Sequence, residues 1–264
     1  MQLTHLYLYP IKSLGGISVS QATLSDRGLE HDRRWMVVNE NGTFFTQRQL
    51  PEMAQISVSQ SEMGWRLTHK RKRIAPVEVP LIPQTDEWMQ VEVWGEAVQA
   101  QVVSPQVDSW LSMVLGESCR LVYMPEESHR PVDPDYAKAG ELVGFADGFP
   151  FLLISQESLD SLNEKLAEPV LMDRFRPNFV VSGVGKPHAE DEWKRFHLGE
   201  IEFIVAKPCG RCQIITIDQQ TTQQSAEPLK TLSTYRRQGK KVCFGMNLLH
   251  RGSGTLEAGM EVKL

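Results

Sequence analysis

Short runs in which apolar and polar positions alternate fill the first part of the chain: Leu3 to Tyr9, Ile17 to Leu24, Arg34 to Val38, Met53 to Val58, Trp65 to Thr68, Ile74 to Val79, Val91 to Val93 and Ala97 to Val103. A period of two sends successive side chains to opposite faces, so each run predicts a strand with one face against a core. Gly, Pro and Asn punctuate the runs. Asn41-Gly42, between the run ending at Val38 and Thr43 to Thr46, is a hairpin signal, because both residues tolerate positive φ. This part of the chain reads as mostly antiparallel sheet.

Beyond Gln101 the spacing changes. Val107, Trp110, Leu111, Val114 and Leu115 recur at helical intervals after Ser104-Pro105, a cap and first-turn pair. A second helix is predicted from Ser155 to Leu166, where Leu159, Leu162 and Leu166 share a face, and a third near Pro228 with Leu229, Leu232 and Tyr235 together. Strands are expected around Phe179 to Val181, Glu200 to Val205, Gln213 to Ile217 and Leu256 to Val262. The stretch Pro125 to Ala146 has little periodicity, and a connection of that length usually covers a site or orders on binding. The fold class expected is mixed α/β, predominantly β: a β-rich, barrel-like part over residues 1–100 packed with a mixed α/β, barrel-like part over 101–264, the two sharing a core.

Composition narrows the function classes. With 264 residues, 41% of them hydrophobic, the chain buries a sizeable core, and a net charge of -5 argues against a protein built to grip a phosphate backbone. The apolar stretch Phe149 to Ile154 is too short to cross a bilayer. Only four cysteines occur and no positively charged, apolar leader precedes the first strand-like run, so a reducing cytoplasm is the expected compartment.

The chemistry concentrates at Cys209-Gly210-Arg211-Cys212. A zinc site would draw further ligands from Cys243 and His250, and a dithiol redox site would open a helix, whereas Gln213 to Ile217 reads as a strand. One thiolate presented beside Lys207 and Arg211, as a soft-metal ligand or nucleophile, is a third reading, and two thiols that simply pack are the fourth.

Three other sets accompany it. Lys12 and Ser13 follow a strand and precede Gly15-Gly16, an arrangement suited to a phosphate, and Asp26 to Trp35 adds cations that include Arg33. Arg174 and Arg176 alternate with Phe175, so both cations are expected on one side; with Asn178 they suit an anionic heteroaromatic ligand. Asp147 offers a carboxylate to an Asx turn or to a ligand's amino groups. By contrast, His69 to Arg73 reads as a solvated hairpin tip, and no Gly-x-Gly-x-x-Gly, Walker or His-Glu-x-x-His pattern is present.

Taken together these motifs carry a resemblance. Pro10-Ile11-Lys12-Ser13 with Gly16, Gly28-Leu29 followed by Asp32-Arg33-Arg34-Trp35, Thr46-Gln47-Arg48, and Pro51 with Met53-Ala54 resemble the N-terminal β-barrel domain that accompanies MOSC domains. Phe149 to Ser155, Phe175-Arg176-Pro177-Asn178, Asp191 with Trp193, Cys209 to Cys212, Thr216 with Asp218, and Pro228 to Leu232 resemble the MOSC domain itself. The motifs occur in family order over nearly the whole chain.

The resemblance is to the molybdenum-dependent branch of that family, which includes amidoxime reducing components and YcbX-like proteins. It implies a molybdopterin-type molybdenum cofactor, with Cys212 as the metal ligand and Cys209 as its neighbour in the motif. It further implies that Lys12, Ser13, Arg33, Arg176 and Asn178 bind the cofactor and that Asp147 acts near metal and pterin. The activity implied is reduction of N-hydroxylated compounds, with electrons from a separate electron-transfer protein; charge and the short apolar stretches, for their part, predict no nucleic-acid and no membrane partner. A sulfur- or cofactor-transfer protein without turnover is the alternative, and pyridoxal phosphate binding is a description the family also carries. Leu14 departs from the cysteine many relatives have after Lys-Ser, Gly148-Phe149 departs from the small hydroxyl residues of the animal proteins, and no ferredoxin-type Cys-x4-Cys-x2-Cys cluster is present.

Overall fold

The computed structural model describes residues 1–264 and is a mixed α/β fold dominated by strands. Its main element is a nine-stranded sheet in the order Val262–Lys263, Arg195–Leu198, Ile201–Gly210, Lys241–Arg251, Phe151–Ser155, Phe179–Ser182, Gln2–Leu8 and Ile17–Val19, with Arg237–Gln238 added to the Lys241–Arg251 strand. All neighbours run antiparallel except Phe151–Ser155 and Phe179–Ser182, whose crossover carries the helix Gln156–Asn163. A bridge between Gln2 and Glu261, with Val262 N–H donating to Met1 O at 3.0 Å, joins the first strand to the last and closes the sheet into a barrel.

The barrel is filled from both ends of the sequence. Leu3, Leu6 and Leu8 pack with Phe151, Phe179, Phe196 and Phe203. The ring of Phe203 lies edge-on to Phe151 at 5.5 Å and to Phe179 at 5.2 Å, the offset that aromatic quadrupoles favour.

The second body is built on a four-stranded sheet, Trp35–Val38, Arg120–Tyr123, Glu96–Val102 and Trp88–Val93, with a three-stranded meander, Ile56–Ser61, Gly64–His69 and Val77–Pro80. The helix Pro105–Leu115 lays Val107, Trp110, Leu111, Val114 and Leu115 onto this core and ends at Gly116, which adopts the left-handed conformation at φ 74°. Ser104 occupies the cap position, yet its side chain makes no cap bond; Asp108 in the first turn instead accepts from Leu121 N at 2.7 Å.

Several expected elements differ. Gln213 to Ile217 is a 3₁₀ turn over Gln213–Thr216 and no strand, with Thr216 Oγ1 donating to Gln213 O at 2.7 Å. So short a stretch, with isoleucine at 214, 215 and 217, sets no clear period, and here Ile215 and Ile217 are buried while Ile214 is half-buried in the wall of a pocket. Leu256 to Val262 divides into Thr255–Glu257 and Val262–Lys263 around Gly259, at φ 96°. The second helix stops at Asn163, whose carboxamide exchanges two hydrogen bonds with the Val170 backbone. Asn41-Gly42 does reverse the chain, with Asn39 Oδ1 accepting from Asn41 N and Thr43 N, but the returning arm forms no strand and makes isolated bridges from Phe44 to Val38 and from Thr43 to Glu92.

The stretch Pro125 to Ala146 is tied down by Arg130. Its buried guanidinium pairs with Glu96 at 2.6 Å and donates to the carbonyls of Gly144, Ala146 and Asp147. A carbonyl-gripping arginine of this kind fixes a loop without secondary structure.

Candidate functional site

The two bodies meet at a pocket that opens to solvent and is lined from both. Lys12, Ser13, Arg33, Asp147, Arg176, Asn178 and Cys212 all lie in its wall, drawn from five separate stretches of chain. Five cationic side chains line it, those of Lys12, Arg33, Arg48, Arg176 and Arg211, against one carboxylate, that of Asp147. A chain of negative net charge has concentrated positive charge in one concavity, which raises the local concentration of anions.

The strand Gln2–Leu8 leads through Tyr9, Pro10 and Ile11 to Lys12 and Ser13 in the pocket wall, where Lys12 N–H donates to Trp35 O at 2.8 Å. The Lys12 ammonium is buried and donates to Phe145 O at 2.7 Å and to Asp147 Oδ1 at 2.6 Å. Burial pulls its pKa down, and the Asp147 carboxylate opposes that shift. Asp147 stands at the rim with its side chain 71% exposed, and it also accepts from Trp94 Nε1 at 3.0 Å. The surrounding protein raises its pKa, but the Lys12 charge and hydrogen bond, the Trp94 indole and Arg33 outweigh this and hold the carboxyl below the usual range.

Arg33 and Arg176 stack on Tyr9, each guanidinium 4.3 Å from the ring centre. Arg33 pairs with Asp32 and donates to Asn178 Oδ1 at 2.9 Å and to Arg176 O at 3.2 Å. Arg176 donates to Leu14 O at 2.7 Å; burial lowers its pKa to about 10, which leaves it charged at neutral pH. Asn178 is buried and bridges the set, its Nδ2 donating to Tyr7 O at 3.2 Å. Ser13, Arg33 and Arg176 all take left-handed backbone, at φ 67°, 48° and 58°. For residues with a Cβ this costs about 1 kcal/mol or more each, and such strain clusters where a fold holds groups in place for a ligand.

The two cysteines of the motif are unequal. Arg211 donates to Cys209 Sγ at 3.1 Å and to Phe175 O at 2.6 Å, so Cys209 is committed within the wall. Cys212 is half-buried in the same wall and its sulfur has no hydrogen-bond partner. All four cysteines are free thiols. The zinc set does not assemble: His250 packs on the Phe151 ring at 5.3 Å, and no three His, Cys, Asp or Glu side chains converge on a metal position.

Two sequence expectations are corrected here. Arg174 does not join Arg176; the chain forms a 3₁₀ turn over Met172–Arg174, which turns Arg174 to an ion pair with Asp218 at 2.8 Å. Lys207 lies over the rings of Tyr136 and Phe149 and near Asp133, and donates to neither cysteine. Four residues join the site beyond those expected: Tyr9, the platform for two arginines; Trp94 and Arg48 at the rim; and Arg130, which fixes the Asp147 loop. Thr46-Gln47-Arg48 was visible as a motif, whereas Trp94 sits in a turn with no local signal of its partner.

This architecture, a closed barrel sharing a cationic, cysteine-bearing pocket with a second β-rich body, is that of a MOSC-domain protein. The profile of the MOSC N-terminal beta barrel domain matches residues 1–118 and that of the MOSC domain matches residues 141–263. The chain belongs to this family. It is similar to mitochondrial amidoxime-reducing component 1 of Mus musculus, at 34% identity over 99% of this chain and 82% of that one, and to the Homo sapiens protein of the same name at 31% over the same shares. It is also similar to the molybdenum cofactor sulfurase of Oryza sativa subsp. japonica, at 32% identity over 94% of this chain but 32% of that one, so it spans about a third of the sulfurase's length.

The cytoplasmic compartment expected from the sequence is overturned by the two amidoxime-reducing components, which match 99% of this chain over 82% of their own length and are named as mitochondrial proteins. Free thiols and a modest net charge suit more than one reducing compartment, so neither separates the two. No helix is long and apolar enough to cross a membrane.

Proposed function

We propose that the chain is a molybdenum-cofactor-dependent oxidoreductase that reduces N-hydroxylated compounds, taking electrons from a separate protein. The observation that carries this reading is the pairing of one unengaged sulfur, Cys212, with a strained, preorganised wall of cations and hydrogen-bonding groups. That donor set fits a pterin dithiolene phosphate: a soft thiolate for the metal, Lys12, Ser13, Arg33 and Arg176 for the anionic part, and Asn178 for its polar edges. When bound, the cofactor supplies the two-electron chemistry that cleaves an N–O bond, which with two protons yields the N–H compound and water.

The protein's own part is binding, orientation and charge. Lys12 and Trp94 keep Asp147 a carboxylate, so Asp147 accepts N–H groups and aligns the substrate in place of storing a proton. Arg211 ties up Cys209 and leaves Cys212 as the sulfur available to the metal. Pyridoxal phosphate has no part in this reading, which uses Lys12 as a charged donor held beside Asp147.

A second reading has support in the sulfurase likeness over 94% of the chain: Cys212 as a persulfide carrier or cofactor dock without turnover. The test is metal analysis together with a reductant-driven benzamidoxime assay. Molybdenum with amidoxime reduction supports the reductase; persulfide on Cys212 in metal-free protein, with no reduction under any donor, selects the carrier.

A further inference from the structure

Four of the five cations lining the pocket are engaged by the chain itself. Lys12 is held by Phe145 O and Asp147, Arg33 by Asp32 and Asn178, Arg176 by Leu14 O, and Arg211 by Cys209 and Phe175 O. Arg48 differs. It is exposed, and its guanidinium makes no hydrogen bond and no ion pair; its one contact of note is with the Trp94 ring, 5.0 Å away.

The base of this arm is rigid although its head is free. Thr46 N and Oγ1 both donate to Gln49 Oε1, at 2.9 and 2.5 Å, and Arg48 N donates to Thr46 Oγ1 at 3.2 Å. Gln47, fully buried, donates to Ser13 O at 2.8 Å and exchanges hydrogen bonds with Gln219. The turn carrying Arg48 is therefore pinned to the segment that carries Lys12 and Ser13.

Trp94 is an unusual support. It occupies a two-residue hairpin turn with Gly95, between Val93 and Glu96, and takes φ 55°, a conformation that Asn or Gly adopts at less cost. It is half exposed, its Nε1 donates to Asp147, and Phe44 lies against it at 5.4 Å. A bulky aromatic kept exposed and in strained backbone, fastened between two pocket-lining residues, is spent on the pocket mouth and not on the core.

We propose that Arg48, carried on Trp94, is a specificity-determining residue at the mouth of the pocket, and that it receives the anionic group of a planar, aromatic N-hydroxylated substrate. The substrate class rests on the reductase reading above. A guanidinium stacked on an indole keeps its outer face for a further planar π system and its N–H fork for a carboxylate or similar anion. Its exposure places the interaction where added salt weakens it.

The experiment compares benzamidoxime with 4-carboxybenzamidoxime, as ligands by calorimetry and as substrates of the molybdenum-loaded chain. It uses the parent and the variants Arg48→Ala, Arg48→Glu and Trp94→Asn, the last chosen because Asn tolerates the left-handed turn. The parent is expected to favour the carboxylated probe about fivefold, a difference of ~1 kcal/mol. Arg48→Ala abolishes the preference, Arg48→Glu reverses it, Trp94→Asn shrinks it, and molybdenum content is the same in all. Equal binding of both probes by the parent overturns the proposal. So does loss of molybdenum from Arg48→Ala, which assigns Arg48 to the cofactor. If the parent reduces neither probe yet shows the Arg48-dependent binding preference, the reductase reading fails while the recognition arm stands.

Discussion

Lys12 Nζ lies 2.6 Å from Asp147 Oδ1, and this contact joins residues 135 positions apart, one from the segment after the first strand and one from the loop before the strand Phe151–Ser155. The buried ammonium keeps the carboxylate ionised, and the carboxylate keeps the ammonium charged against its own burial. We expect Lys12→Met to weaken cofactor retention roughly 10- to 100-fold, the scale on which supporting groups of metal sites act. Asp147→Asn keeps the shape and removes the charge, and should cost turnover more than cofactor. Metal content and kcat measured on the same preparations separate the two.

The Lys12–Asp147 pair also has a pH signature. The folded-state pKa of Asp147 lies below its unfolded value, so its contribution to stability is present above the ordinary carboxylate range and is lost as pH falls through the depressed value. Asp147 is thus ionised across the neutral and mildly acidic range. An acid limb of activity near pH 6 that vanished in Asp147→Asn would contradict this assignment.

Asp108 runs the other way. Burial raises its pKa to about 6, although Leu121 N and Arg120 favour the charged form. The folded state therefore binds a proton more tightly than the unfolded one, and stability falls as pH rises from about 4 to about 6. Asp108→Asn still accepts from Leu121 N and carries no charge, so it is expected to stabilise the protein at pH 7 by on the order of 2 kcal/mol and to change little at pH 4. Urea unfolding at the two pH values checks it.

Arg130 grips three carbonyls, those of Gly144, Ala146 and Asp147, in the loop that presents Asp147. Arg130→Leu leaves those carbonyls without their donor in a buried setting, a loss of roughly 3 kcal/mol. The expected result is a Tm lower by about 5–10 °C, with weaker substrate binding because the Asp147 rim loosens. An unchanged Tm would show that the loop is held by its apolar residues Val132, Val143 and Phe149 instead.

What was legible in the sequence follows the range of the forces involved. Leu6 and Leu8 alternate with His5 and Tyr7 in a strand whose register shifts between Leu3 and His5; Val107, Trp110, Leu111 and Val114 recur at helical spacing and form a helix, because burial on one face is a local pattern. The closure of the barrel between Gln2 and Glu261 has no local signature, nor does the 3₁₀ turn after Cys212, where consecutive isoleucines face both core and pocket. For the pocket, Lys12, Ser13, Arg33, Asp147, Arg176, Asn178 and Cys212 were named from motifs and do share one wall. Alternation failed to separate Arg174 from Arg176, because their segment is a turn and not extended chain. Tyr9 and Trp94 escaped notice because their partners, two arginines and Asp147, lie far along the sequence.

The division of labour between the two motif cysteines gives the most direct test. Cys209 is engaged by Arg211, whereas Cys212 presents a sulfur without a partner to the pocket. Molybdenum measured in protein from a cofactor-competent host should be about one per chain in the parent and in Cys209→Ser, and near zero in Cys212→Ser, since the thiolate is the protein's soft ligand. Molybdenum retained in full by Cys212→Ser, or absent from the parent, would contradict the account.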